Sequence, residues 1–585
     1  MKKRLTVGMV ELPATVDGRL GGKLAKDVYS LFRFPARGIP QLAGMLHREG
    51  YTDLKVVNPK YNRNRGRFSR EEFETLASCD VVGISAITRT ALQSYELAAE
   101  LKKANPQLKI IFGGPHTTTM PEEALQYCDI VALHEGDFTI KELMERLEDN
   151  FDAPVLDDIA GVVFKRPNGE IVYTAERPFL TTEQLSSLPF PIFAPEELRG
   201  ISHNTITTSR GCPFKCEFCD VIVNFGGQFR FWDDDSTIEL IKYVTRLKQT
   251  PIFFGDDIFT ANLGRTRRIL ERILSEGIHI PHWAHQDRVE SARDPELLKL
   301  KKQARCSYVM IGLESINPDT LKLYNKHATL EKNVLAVEAY HRAGIKVHGM
   351  FVLGSDADTK ETIRETLEWA KKLKLETAQF FALTAVPGPP LTKRLESEGR
   401  VLSRQWHLFD AQHAVVQPKL MTASELQDGV FQAALDFYSY KEAFKRLFDG
   451  DNRLFNFVIR LQGRYLSKQI MKDNREYQAA LRQLDEWHSG IQNNYHSWIE
   501  RLESTMNDMS ASVEEKRAHL ERYMNDLVHR AKESYTSLNE QFRPYCNHVV
   551  DDVLTKIHEC YHQATRSLSS SLPPDIDLTP VASSQ

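Results

Sequence analysis

Three cysteines, Cys212, Cys216 and Cys219, stand in the stretch TSRGCPFKCEFC directly after a short β-type run. Thiolates are soft metal-binding groups, and their spacing narrows what they hold. Two would suit a redox pair, and four a closed zinc site built from paired C-x-x-C halves. Three thiolates on one short loop reach three corners of an iron–sulfur cube, which ordinarily takes four cysteines. One iron is then left for a ligand that is not protein. Gly211 lets the backbone pass closely, Pro213 and Phe214 favour an irregular loop, and Phe218 can shield the cluster. The competing reading is a zinc ion with a distant fourth ligand, His203 or Cys306. The remaining cysteines are scattered singly, and Cys79 and Cys128 read as buried packing.

The rest of the chain has to position that loop. At 585 residues it needs three or four domains. Hydrophobic content of 42% and charged content of 26% are those of a globular protein. A net charge of −4 excludes a global basic field, so no nucleic-acid partner is expected. No stretch approaches the roughly 18 apolar residues of a membrane span. The start, MKKRLTVGMVELP, reads as a first β-strand and not as a signal peptide. Eight cysteines in a chain of this length form no disulfide framework. The expected location is cytoplasmic, with membrane-peripheral contact left open.

Residues 1–150 alternate short β-branched runs (4–12, 53–59, 80–88, 109–116, 129–137) with amphipathic stretches closed by Gly or Pro. Such a βα repeat builds a parallel doubly wound sheet, whose ligands bind at the carboxyl ends of the strands. Residues 151–200 read as a connector with a hairpin at Asn168-Gly169. A second series over 201–395 offers six strands and suggests a partial (β/α)6 barrel with its chemistry at the strand C-termini. Beyond it, 396–470 reads as a helical post-barrel domain and 471–570 as a long helical extension. Apolar residues there recur three and four apart from Tyr477 to Val513, as in a helical hairpin or short bundle. The Ser/Pro-rich residues 571–585 read as a disordered tail.

The cysteine loop on a barrel strand resembles the radical S-adenosylmethionine (SAM) superfamily. That resemblance implies a [4Fe–4S] cluster on Cys212, Cys216 and Cys219. The open iron would chelate SAM, and reductive cleavage would give a 5′-deoxyadenosyl radical. FFGDD resembles the family's second-strand segment and assigns Gly255, Asp256 and Asp257 to SAM, although the commoner form is Gly-Gly-Glu. IGLES assigns Glu314, and HGMFVLGSDADT assigns Gly349 and Gly354, to the same cofactor.

The N-terminal half, with GGPHTTTMPEEAL and HEGD, makes the whole similar to cobalamin-binding radical SAM enzymes. The implied fold is a Rossmann-like cobalamin-binding domain followed by a partial (β/α)6 TIM barrel and an α-helical C-terminal region. Ser85, Thr88, Gly113, Gly114 and Glu135 are the expected cobalamin contacts. The usual D-x-H-x-x-G motif is absent, and VVNPKYN stands in its place. RQWHLFDAQHAVVQPKLMTASELQDGVFQAALDFYS is similar to the post-barrel segment of hopanoid C-2 methylase-like proteins.

The implied activity is methyl transfer from methylcobalamin to an unactivated carbon, including that of a polycyclic lipid, with a flavodoxin- or ferredoxin-type reductant. His285, Asp287 and Arg288, at the third strand end, are the expected substrate residues, while Tyr308 and Cys306 are expected to be structural. The rival readings are a radical SAM cyclase without methyl transfer and a cobalamin or iron–sulfur sensor whose helical tail binds a partner.

Overall fold

The computed structural model describes residues 4–26, 33–61, 67–448, 452–508 and 538–569, with scattered residues from 515 to 536. The expected disordered tail, and Met509 and Val513 of the apolar recurrence, lie outside the described residues. The chain forms two compact units, 1–395 with 405–475, and 396–404 with 476–585.

The first unit contains two sheets. One holds β1 (Val7–Glu11), β2 (Leu54–Val57), β3 (Val81–Ser85), β4 (Lys109–Gly113), β5 (Ile130–Ala132), β6 (Val162–Lys165) and β7 (Ile171–Tyr173) in the order β2-β1-β3-β4-β5-β6-β7. The first five pair in parallel, and β6 and β7 add an antiparallel hairpin. The runs are short and nearly continuous in Val and Ile because helices cover both faces: Val81, Val82 and Ile84 are all buried. The order reverses between β1 and β3, so the loops after these strands open the crevice where such sheets take ligands. The hairpin at Asn168-Gly169 forms, with Gly169 at φ +92°. It carries the first sheet to residue 173, so the sheet does not end at 150 and the connector is shorter than its composition suggested. Pairing with β5 is tertiary, and no local pattern announces it.

The second sheet contains β8 (Asn204–Ile206), β11 (Ile252–Phe254), β12 (Trp283–Asp287), β13 (Cys306–Glu314), β14 (Lys346–Leu353) and β15 (Thr377–Ala382), all parallel, in the order β15-β14-β13-β12-β11-β8. Between β8 and β11 a small ladder joins β9 (Ser209–Arg210) to β10 (Arg230–Phe231). His203 before β8 and Phe381 on β15 line one cavity, so the sheet curls round a lumen as a partial barrel does. Helices Ala423–Phe437 and Arg453–Asp473 pack within this unit, and the first contacts β15.

Glu197, on the short helix Pro195–Gly200, ties the connector to the first sheet. One oxygen accepts from the Ala36 amide (2.6 Å) and from Asn58 Nδ2 (2.9 Å), while the other has no partner. Burial lifts its carboxyl from 4.5 to about 7. Such a group favours the folded state in its protonated form. Its contribution is complete below pH 4.5 and is lost as pH rises towards 7. Glu197→Gln is therefore expected to stabilise the protein by up to roughly 3 kcal/mol at pH 8 and hardly at pH 4.5. Chemical denaturation at the two pH values checks this.

The second unit is helical. Helix Arg475–Asp508 is the long segment that the three-and-four spacing predicts, with Gly490 accommodated inside it, and a second long helix, Arg543–Ser569, follows beyond that spacing. Val550 and Leu554 form a small core with Trp487, Trp498 and Tyr535. Residues 396–404 belong here and not with 405–470, because Gly399 packs against His548. Among the described residues no helix is long and apolar enough to cross a membrane.

Candidate active site

The cysteine loop leaves β9 at the carboxyl end of the barrel. Gly211 turns the chain at φ +85°, where a Cβ would stand 2.1 Å from the Gln228 carbonyl oxygen. Gly211→Ala is expected to cost at least ~1–2 kcal/mol from the left-handed backbone alone. Cluster iron content and the melting temperature should fall together. The Cys212 amide donates to Gly226 O (3.2 Å), the Glu217 amide to Tyr324 O (3.1 Å), and Asn325 Nδ2 to Lys215 O (2.7 Å). Phe218 meets Tyr324 edge-on at 5.0 Å. The Arg288 guanidinium lies 3.7 Å over the Phe214 ring, between the first two cysteines in sequence.

Burial pushes the Cys212 and Cys219 thiols up, with Cys216 and Asp257 adding negative charge. Ligation by iron would reverse that by holding the thiolates. Among the described residues no three His, Cys, Asp or Glu side chains converge as ligands of one ion.

Asp257, at the end of β11, is the half-buried carboxylate nearest in kind to an ammonium partner. It accepts no hydrogen bond among the described residues. Burial lifts it to about 6, against the pull of Arg37. Asp256 beside it is committed inward, accepting from the Thr208 amide (2.9 Å), Thr208 Oγ1 (3.1 Å) and Ser209 Oγ (2.5 Å). Gly255 is held by Arg37, whose Nη1 donates to its carbonyl (2.8 Å), and a Cβ there would meet that guanidinium at 2.9 Å.

Glu314 sits at φ +60° beyond a register shift in β13 and accepts from Lys326 Nζ (2.7 Å). Gly312 makes room for it, since a Cβ there would stand 2.2 Å from Glu314 Oε1. Gly354 turns at φ +97°, and the Asp358 carboxylate receives its amide (3.0 Å). Gly349 faces Leu375 and Leu313, so what the structure shows there is close packing.

Contacts across the unit bring the carboxyl edges of the two sheets together. Arg210, one residue before Gly211, donates to Asp137 (2.7 and 3.1 Å) and to Glu135 (3.2 Å) beyond β5. Gly388 packs between Thr119 and Val223, and Arg37 reaches Gly255 from the loop after β1. Around the first sheet's edge, Gly114 adopts φ +101° with a Cβ position 2.7 Å from Ala86 O, and Gly113 beside it has open space on its Cβ side up to Ala132 O at 3.8 Å. Ser85 and Thr88 stand half-buried at the end of β3, next to the exposed Ile87. Gly113 is the open point of this edge, whereas the Gly114 side is closed by Ala86 and Ser85.

Glu135 is not available for the expected cobalamin contact. Its carboxylate is taken by Arg230 (2.8 and 3.0 Å), Arg210 and the Leu180 amide (2.7 Å). The substrate expectation also needs correction. Along β12 side chains alternate, and the lumen receives Ala284 and Gln286 while His285 and Asp287 point into the helical layer. There Asp287 accepts from Thr260 Oγ1 (2.7 and 2.8 Å) and faces the buried Lys301 ammonium (3.4 Å), with Tyr340 alongside. Burial holds His285 well below its ordinary value and raises Asp287.

Fold and site thus define a two-sheet radical-initiating enzyme, with a three-thiolate loop facing a ligand-binding α/β sheet. The comparisons agree. The Radical SAM superfamily model matches residues 206–370 and the B12 binding domain model residues 29–144. An uncharacterized methyltransferase of Pyrococcus horikoshii is 29% identical over 421 residues, 69% of this chain and 88% of its own. An anaerobic magnesium-protoporphyrin IX monomethyl ester cyclase of Cereibacter sphaeroides is 27% identical, covering 70% and 68%. The hopanoid C-2 methylase of Rhodopseudomonas palustris is 26% identical, covering 50% and 54%. The structure of the radical SAM methyltransferase TsrM from Kitasatospora setae, with cobalamin and a [4Fe–4S] cluster bound, superimposes with a TM-score of 0.59 at 15% identity, over 81% of this chain and 100% of that one. The chain carries a B12 binding domain and a Radical SAM domain and is similar to cobalamin-dependent radical SAM methyltransferases; its cofactors are a [4Fe–4S] cluster, SAM and cobalamin.

Proposed function

We propose that this enzyme transfers a methyl group to an unactivated carbon of a polycyclic, largely apolar molecule. The observation that carries the reading is the facing of the two carboxyl edges, which sets the cysteine loop one residue from the Arg210 bridge to the first sheet. When bound, cluster, SAM and corrinoid supply the electron, the radical and the methyl group. The protein's part is placement. Cys212, Cys216 and Cys219 would hold the cluster, and Asp257 the SAM ammonium. Glu314, held by Lys326, would orient the ribose side, and the Gly354 turn, held by Asp358, would line the adenine. Ser85, Thr88, Gly113 and Gly114 would contact the corrinoid. Arg288 acts on the cluster loop through Phe214.

The polycyclic substrate is supported by the hopanoid methylase relative and the likeness of the post-barrel segment to that group. Ring closure without methyl transfer is the second reading, favoured by the cyclase relative. Anaerobic turnover with SAM, reductant and a pentacyclic triterpenoid separates them by product mass. A gain of one CH₂ is expected, and a product without that gain would sink the proposal. A peripheral membrane contact and a partner for the helical unit belong to the same proposal, to be checked by vesicle co-sedimentation and by pull-down with the full chain.

A further inference from the structure

Helices Tyr440–Phe448 and Arg453–Asp473 pack on each other beside the amino ends of the barrel strands. Arg446 Nη2 donates to the Lys371 carbonyl (3.3 Å) and Arg460 Nη2 to the Leu375 carbonyl (3.0 Å), ahead of β15. Their inner faces belong to the core, where Ala443, Ile459 and Leu466 are buried. Their outer faces do not. On the first helix Lys441, Phe444, Lys445 and Phe448 are all exposed, at the spacing of a single face. On the second, Leu454, Val458 and Tyr465 stand exposed four and seven residues apart, with Phe455 beside them. Phe448 is 77% and Leu454 71% exposed, more than any other large apolar side chain among the described residues. The rings of Phe444 and Phe457 meet at 5.4 Å, so the two faces adjoin as one patch.

A contiguous apolar patch marks an interaction surface, and its charges select the partner. Lys441 and Lys445 form no ion pair among the described residues. Arg464 and Lys468 lie over the Tyr440 ring at 4.7 and 5.8 Å, and Lys346 over Phe455 at 4.8 Å. Lys302, Arg305 and Lys374 are exposed just ahead of β13 and β15, at the same end of the barrel. Glu442, the carboxylate of the first helix, is buried, and Asp473 of the second pairs with Lys23. Over residues 440–472 eight Lys and Arg stand against three acidic residues, Asp449 and Asp451 included. A second copy of the chain on this patch would set the same cations against one another. A bilayer with anionic headgroups satisfies both features: apolar tips enter the boundary of headgroup and acyl chain, while lysines stay at the phosphates.

We propose that this helix pair is the surface by which the enzyme docks on an anionic membrane. Phe444, Phe448, Leu454 and Val458 enter the headgroup region, and Lys441 and Lys445 meet its phosphates. The assignment rests on the peripheral contact of the reading above and is independent of which reaction the enzyme performs.

The test is co-sedimentation of the full, cluster-reconstituted chain with vesicles of phosphatidylcholine and phosphatidylglycerol in equal parts, against vesicles of phosphatidylcholine alone. Binding to the mixed vesicles is expected to be roughly tenfold tighter or more, and to weaken with added salt. Phe448→Ser with Leu454→Ser, and separately Lys441→Glu with Lys445→Glu, should each weaken it roughly tenfold. Cluster absorbance, melting temperature and 5′-deoxyadenosine formation are expected to match the wild type in both, which shows that the variants fold. Undiminished vesicle binding by both variants overturns the proposal, as does a wild-type chain that stays in the supernatant. A dimer that the serine pair dissociates, without vesicle binding, gives the patch to a second copy and also overturns it. Vesicle docking that both variants lose, with no gain of CH₂ in the wild-type product, upholds the surface and sinks the methyl-transfer reading. Methylation of a detergent-solubilised triterpenoid by a chain that binds no vesicle does the reverse.

Discussion

Cys216→Ala is expected to abolish 5′-deoxyadenosine formation from SAM and reductant, to below detection. The loop offers three thiolates, and a cube held at two corners has lost its middle anchor and exposes a second iron to solvent. The broad cluster absorbance should disappear with the activity. Corrinoid bands should persist, because the candidate cobalamin contacts come from strand ends of the first sheet, which pairs independently of the loop. Anaerobic ultraviolet–visible spectra and product chromatography read both quantities on one sample. Deoxyadenosine at the wild-type rate would remove the cluster assignment and the enzyme reading with it.

The second large effect concerns Asp257→Asn. This change keeps the size and one acceptor oxygen but removes the charge that faces the proposed ammonium. Asp256 is a poor substitute because it is buried, with Oδ1 taken by Thr208 and Ser209 and Oδ2 enclosed away from solvent. A charged hydrogen bond of about 1.5–3 kcal/mol corresponds to a roughly 10- to 100-fold rise in the Kd for SAM. Titration calorimetry on the reconstituted protein measures it directly. The cluster spectrum should stay unchanged, which distinguishes loss of the ammonium partner from collapse of the loop. An unaltered Kd would mean that the SAM amino group lies elsewhere, with Glu314 the next carboxylate to examine.

These expectations draw on residues of unequal legibility. The cysteine loop could be read because its information is local: three thiols on one loop must lie near one another in any fold. The alternation of apolar runs with amphipathic helices was likewise visible, since both periods are short-range properties of the chain. Asp257 was assigned through the resemblance of FFGDD to a family segment, and the structure adds that it stands at the end of β11. Glu135 could not be read in either way. Its partners Arg210 and Arg230 lie 75 and 95 residues away, and nothing in HEGD announces two guanidinium groups. The hairpin that extends the first sheet is a similar case, because a turn signal shows that two strands meet but not which sheet they join.

Residue types and spacing by themselves determined the three-thiolate loop, the two βα series and the long helical extension, while SAM and cobalamin entered through the resemblance to a family. Only the tertiary structure decided which side of β12 faces the lumen. A strand buried on both faces carries no amphipathic mark, so His285 and Asp287 read the same whether they point at a substrate or at Lys301. Only the curl of the second sheet brings Phe253, Met310 and Phe381 round one space, with helix 453–473 as its wall. Tyr308, expected to be structural, lines that space for the same reason. A cavity is shared by residues far apart in the chain, and it has no local sequence from which to be read.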